Sequence, residues 1–315
     1  MASEAARPPL ARHPHPAGLR YHEQARDDRF GPRASVRELL TVLLFLLAAV
    51  LGVLMVGVIG ADVFDVSAST DSDDVFSDPL ADTALLFISI AAGLPAVLLA
   101  VRRFGRHRPG ALSSVTGRFR WQWAGRCAAL AFPLYAVQLT LYLAWVPDDS
   151  GSPSEGSATA PAWPAIAGAL VLVLALVPFQ AAAEEYVFRG WLTQFVGRFA
   201  RSPWPGTVAS AVLFACAHGW GSLSGFALLL SSSLWWGMLV VRTGGLEAVV
   251  ALHIANNMLV LGLATALGEL DEADSAATAP WQALVLETTF TPLYYVAITW
   301  LARRLRLAGT TVPGQ

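Results

Sequence analysis

Seven polar side chains stand in stretches that are otherwise apolar. Glu184, Glu185 and Arg189 follow one such run, His218 ends a second, and His253, Asn256 and Asn257 lie inside a third. Residues four apart on a helix share a face, which pairs Glu185 with Arg189, Phe214 with His218, and His253 with Asn257. Glu184 lies about 100° round the helix from Glu185, so the two carboxylates point apart. One of them can face a central cavity while the other pairs with Arg189 or with a neighbouring helix. Two chemistries suit such a set. A glutamate can take a proton from water and pass it to a leaving amine. Alternatively, Glu184, His218 and His253 can hold a zinc ion that lowers the pKa of its bound water. In either case Asn257 can hold the oxyanion of a tetrahedral intermediate, and the product is a hydrolysed peptide bond.

The elements that must position these groups are readable from hydropathy. Only 14% of the 315 residues are charged, 55% are apolar, and the mean hydropathy is +0.52. A soluble domain carries about a quarter charged residues, and here the charges cluster between apolar runs. Eight runs fall at about 38–61, 83–101, 124–146, 165–183, 206–218, 224–241, 246–266 and 281–302. The fifth is short for a span of about 20 residues. The expected fold class is all-α, a polytopic membrane bundle of about eight transmembrane helices. At bilayer depth a charge costs about 2.5–3.5 kcal/mol on insertion scales, so each buried polar group needs a reason. Pro178 is expected to kink the fourth helix.

Arginine placement orients the bundle. The chain has no lysine and 21 arginines, all in the segments that lie inside if the chain starts inside and crosses eight times. The opposite loops carry seven carboxylates between Asp62 and Asp82, three between Asp148 and Glu155, and four between Glu269 and Asp274. The positive-inside rule then places both termini in the cytoplasm. Trp121, Trp123, Trp145, Trp163, Trp281 and Trp300 fall near helix ends, as interfacial anchors do. The expected organisation is a disordered cytoplasmic tail at 1–36, helices 1–3 with acidic outer loops at 37–160, a catalytic bundle at 161–305 and a short tail at 306–315. Cys127 and Cys216 lie in separate apolar runs and are expected as buried apolar residues, not a disulfide or metal pair. The Arg102–Arg108 segment reads as a topology determinant near anionic lipid. Nothing points to nucleic acid, and the lysine-free composition suggests a bacterial source.

At these residues the chain resembles the CPBP intramembrane endopeptidases, also called the CAAX-protease or Abi family. The family's EExxxR stands as Glu184-Glu185-Tyr186-Val187-Phe188-Arg189, FxxxH as Phe214 to His218, and HxxxN as His253 to Asn257. The resemblance covers residues 165 to 265. It implies a multi-pass hydrolase of the cell membrane, acting on a membrane-associated protein or peptide. Glu184 and His218 would activate water, His253 and Asn257 would stabilise the oxyanion or a metal, and Glu185 and Arg189 would orient the set. Both a zinc metalloprotease and a metal-independent glutamate mechanism are argued for the family, and the sequence leaves them open. Two other classes stand beside this reading: a non-catalytic scaffold or bacteriocin-immunity protein, and a proton-coupled transporter built on buried Glu and His. No internal repeat of the transporter kind is present. Glu287, in the eighth run, has no assigned role.

Overall fold

The computed structural model describes residues 17–26, 31–64, 66–69, 75–104, 108–146, 163–267 and 276–312. A helix stands on each of the eight apolar runs. These are α1 (Pro32–Phe64), α2 (Pro79–Arg103), α3 (Trp121–Trp145), α4 (Trp163–Gly197), α5 (Trp204–Ala217), α6 (Leu223–Thr243), α7 (Glu247–Leu267) and α8 (Trp281–Arg304). Among the described residues there are isolated β-bridges but no strand. The protein is an all-α polytopic bundle. Among the described residues, six helices are long and apolar enough to cross a membrane; α5 and α8 are not among them. With 14 residues, α5 spans about 21 Å, less than the ~30 Å hydrocarbon core. α8 has 24 residues, and its buried face carries Glu287, Thr291 and Tyr294, which lowers its apolarity. Most of the acidic loops lie outside the described residues.

α7 is the axis of the bundle. Every residue from Thr243 to His253 is buried, with α3 and α4 as its principal neighbours. Ala248, Ala251 and Ala255 of α7 and Cys127 and Ala131 of α3 let the two backbones approach, as small residues do between helices in lipid. Tyr294 of α8 ties the layers by donating to the carbonyl of Ala248 at 2.9 Å. The start of α7 is fixed by charge. Glu247, fully buried, accepts from Arg120 Nε at 2.8 Å and Nη2 at 2.7 Å, and the same guanidinium donates to the carbonyls of Thr243 and Ala308.

Three expectations are corrected. Part of the segment expected as a structureless tail is built into the fold. Gly18 N–H donates to the Thr311 carbonyl and Thr311 N–H to that of Leu19, both at 2.9 Å, so these two segments lie together at one end of the bundle. Tyr21 and His22 are fully buried there; Tyr21 donates to the carbonyl of Leu112, and Gln24 to that of Ala111 at 3.1 Å. Burial pushes the His22 pKa below its ordinary value. One buried aromatic and a few backbone bonds hold this segment, and neither leaves a periodic signature. Trp123 is buried while the other five anchor tryptophans are exposed, because it lies on the inner face of α3. Cys216 is exposed on α5 rather than buried, beside the exposed Val212 and Leu213.

Removing one partner of a buried ion pair strands the other charge, at about 3–5 kcal/mol. Glu247→Ala is therefore expected to lose stability on that scale in detergent unfolding. The double replacement Arg120→Met with Glu247→Leu is expected to lose less. A double variant as unstable as the single would show that the pair does not act as a unit.

Candidate active site

α4 carries the first motif and changes winding within it. The helix runs through Pro178 and is α-helical to Glu185, then winds as a π-helix from Tyr186 to Leu192 before resuming at Thr193. Pro178 causes no interruption there; the irregularity follows the two glutamates. Wide turns of this kind are rare and occur mostly at functional positions. The carboxylates diverge as their 100° separation requires. Glu185 is fully buried, while the Glu184 side chain keeps 13% exposure.

Glu185 is the hub. Its Oε1 accepts from Arg189 Nη1 at 3.1 Å and from His253 Nδ1 at 2.8 Å. Arg189, also fully buried, donates through Nη2 to Ser233 Oγ on α6 at 2.6 Å. Its guanidinium carbon lies 3.9 Å from the centre of the Phe214 ring, within cation–π range. Arg189 thus belongs to the site, not to a loop of topology-setting arginines.

The Glu185 bond sets the tautomer of His253. With Nδ1–H donating to the carboxylate, Nε2 of a neutral ring is a bare acceptor. That nitrogen lies 3.5 Å from Glu184 Oε2, longer than a well-formed hydrogen bond. Glu184 Oε2 and Glu185 Oε2 are buried acceptors without a hydrogen-bond donor, and an oxygen in that position gains from any O–H offered to it. Trp236 of α6 packs against the other side of His253, with ring centres 5.1 Å apart.

His218 reaches the cluster through Phe214. α5 ends at Ala217, and the His218 ring bonds through Nδ1 to the Phe214 carbonyl at 2.9 Å. A histidine at a helix C-terminus satisfies an orphaned carbonyl in this way, and it leaves Nε2 as the acceptor. Gly219 makes the exit turn at φ +80°. Ser222 then caps α6 and donates its backbone N–H to Ala277 at 2.8 Å. A Cβ on Gly225 would sit 2.0 Å from that same Ala277 oxygen, so only glycine lets the segment at 276–279 close over the turn that carries His218.

The structure joins Glu184, Glu185, Arg189 and His253 directly. His218 joins them through the Phe214 ring, 4.5 Å from its own and under Arg189. Asn257 stands one helical turn from His253 and donates to Gln180 Oε1 at 3.1 Å, while Asn256 donates to Asn257. Gln180–Asn257 and Glu184–His253 are consecutive rungs between antiparallel α4 and α7. Ser233 and Trp236 were not singled out by sequence reasoning; Gln180 stands in the polar cluster with Glu184 and Glu185 at the end of the fourth apolar run. The run Ser231-Ser232-Ser233 inside an apolar helix was the available signal for Ser233, since hydroxyls at that depth bond across helices. No three His, Cys, Asp or Glu side chains among the described residues converge as a metal-binding group. A catalytic zinc takes three protein ligands, and the expected trio Glu184, His218 and His253 does not form such a set here. Replacement of Arg189 by Leu leaves Glu185 buried without its cation. A loss of about 3–5 kcal/mol is expected, read as detergent unfolding, with a smaller loss when Glu185→Gln is added. Equal losses would remove Glu185 from its place as hub.

Comparison with known proteins bears on the same segment. Residues 166–259, which contain all three motifs, match the family model described as type II CAAX prenyl endopeptidase Rce1-like. The chain is 32% identical over 197 residues to a Bacillus subtilis (strain 168) protein described as uncharacterized protein YyaK, across 59% of this chain. The chain spans 62% of the length of that curated relative. No solved structure matches. Residues 166–259 are thus similar to the Rce1-like family, consistent with the CPBP family that the three motifs resemble.

Proposed function

We propose that this protein is an intramembrane endopeptidase of the bacterial cell membrane that cleaves a membrane-associated protein or peptide. The observation that carries the reading is Glu184 Oε2, buried without a donor and 3.5 Å from His253 Nε2. A water molecule donating to Glu184 meets both needs of such a base: a proton to accept and a neighbour that stabilises the product. In the proposed reaction Glu184 takes one proton from water while the water oxygen bonds to the scissile carbonyl carbon. The carbonyl π pair moves to oxygen, and the resulting oxyanion is held by an N–H of the Asn257 amide, with His253 beside it. Collapse re-forms the carbonyl and breaks the C–N bond, and Glu184 returns the proton to the departing amine. His218, with Nδ1 engaged at its own helix end, offers Nε2 as an acceptor to the same water. Glu185 and Arg189 do not meet substrate in this scheme; they hold His253 in one tautomer. Zinc enters no step, and chelator treatment distinguishes a metal-dependent variant of the reaction.

The test is cleavage of a membrane-anchored peptide library by purified protein, with and without a zinc chelator. Glu184→Gln is expected to lower the rate by about 10²–10⁴, the usual contribution of a positioned acid–base group, and His218→Ala to lower it strongly. Activity unchanged by chelator is the expected result, and activity that survives both substitutions would favour a non-catalytic scaffold. Asn257→Ala is expected to lower kcat by about 10²–10³ with little change in KM, as loss of one oxyanion donor does. A change confined to KM would make Asn257 a binding residue instead.

A further inference from the structure

A cavity of about 340 Å³ opens at the end of the bundle where the two termini meet, and no residue around Glu184 lines it. Its walls come from three segments: Gln24 near the N-terminus, Arg108, Val115 and Arg118 between α2 and α3, and Thr311 near the C-terminus. Among the described residues, two guanidinium groups and several neutral polar side chains line it, and no carboxylate does. Neither Arg108 nor Arg118 has a side-chain hydrogen bond or ion pair among the described residues, and both are exposed.

The loop that carries them is built, not slack. A Cβ on Gly110 would lie 2.0 Å from the carbonyl oxygen of Gly117, which itself has φ +70°. This contact pinches the loop, so that two arginines ten positions apart flank one space. Its inner strand is stitched to the turn before α7: Val115 N–H donates to Gly244 at 2.8 Å, and Leu246 N–H to Ser113 at 2.9 Å. Ser113 Oγ also bonds Tyr186, the residue after Glu185, at 2.7 Å. Both guanidinium groups line the one space, and an anion lying there can be met by both. The end of the bundle adds a source. It is the arginine-rich end, where a charged leaflet presents phosphates within about one Debye length of the surface.

We infer that this cavity binds a phosphate anion between Arg108 and Arg118, carried by an anionic phospholipid headgroup or by soluble phosphate. Guanidinium forks suit phosphate oxygens, and Val115 and Val312 give the cavity an apolar floor against which a glycerol backbone can lie. The site is separate from the peptidase reading and stands or falls without it.

The experiment uses the full purified chain and measures binding of dioctanoyl phosphatidylglycerol, dioctanoyl phosphatidylcholine and inorganic phosphate, by native mass spectrometry and by thermal shift. Wild type is compared with Arg108→Gln/Arg118→Gln and with the charge-matched control Arg303→Gln/Arg304→Gln at the end of α8. Wild type is expected to prefer phosphatidylglycerol over phosphatidylcholine. The cavity variant is expected to lose about thirtyfold in that affinity, as two near-surface cations warrant, and the control to lose little. Stabilisation of wild type by phosphate, absent in the cavity variant, would instead assign the soluble anion. Arg118→Gln alone gives the same reading with a smaller change if the double variant melts early. Equal binding by wild type and cavity variant, an equal loss in the control, or no binding of either anionic probe would overturn the assignment.

Discussion

A charge placed among membrane helices has to be answered inside the protein, because lipid offers it nothing. Here the answer is one carboxylate. Glu185 neutralises Arg189 and accepts the Nδ1–H hydrogen bond of His253 on the same oxygen. From that arrangement the rest follows. Arg189 can lie fully buried and press on Phe214, Phe214 can carry His218, and His253 can present only Nε2 to Glu184. Without Glu185 the cation would be unpaired and the imidazole free to turn, and the four helices that meet there would lose their common point.

The helices show the same constraint at smaller scale. Hydroxyls bond back to their own helices, as Ser232 does to Leu228 and Thr265 to Leu261, since no water is present to take them. α5 stops after 14 residues, and its end needs partners that a longer helix would not. His218 supplies one, and the segment at 276–279 covers the turn beyond. The candidate reactive imidazole is thereby also the cap of its own helix.

The α4–α7 seam couples this site to the bundle's axis. Its rungs, Gln180 with Asn257 and Glu184 with His253, sit in register because the helices are antiparallel and each rung is one turn from the next. The register is anchored where α7 begins, by Glu247 and Arg120. The loop before α3 reaches both that anchor and Tyr186. A change at the arginine-rich end therefore has a continuous path of packed and bonded groups to the residue beside Glu185.

Hydropathy alone located the eight runs on which helices stand, because a bilayer demands apolar stretches; six of those helices, among the described residues, are long and apolar enough to cross it. Helical spacing alone paired Glu185 with Arg189 and separated Glu184 from it, since 100° per residue is a local property. The site's members were also legible, as polar groups with no business in apolar helices. Which of them touch was not. The hydrogen bond from His253 to Glu185, the ring of Phe214 between Arg189 and His218, and the pairing of Asn257 with Gln180 join residues 29 to 77 positions apart. The π-helix after Glu185 and the burial of Tyr21 in an aperiodic segment lie equally beyond periodicity. Those depend on how helices pack against one another, and only the tertiary structure fixes that.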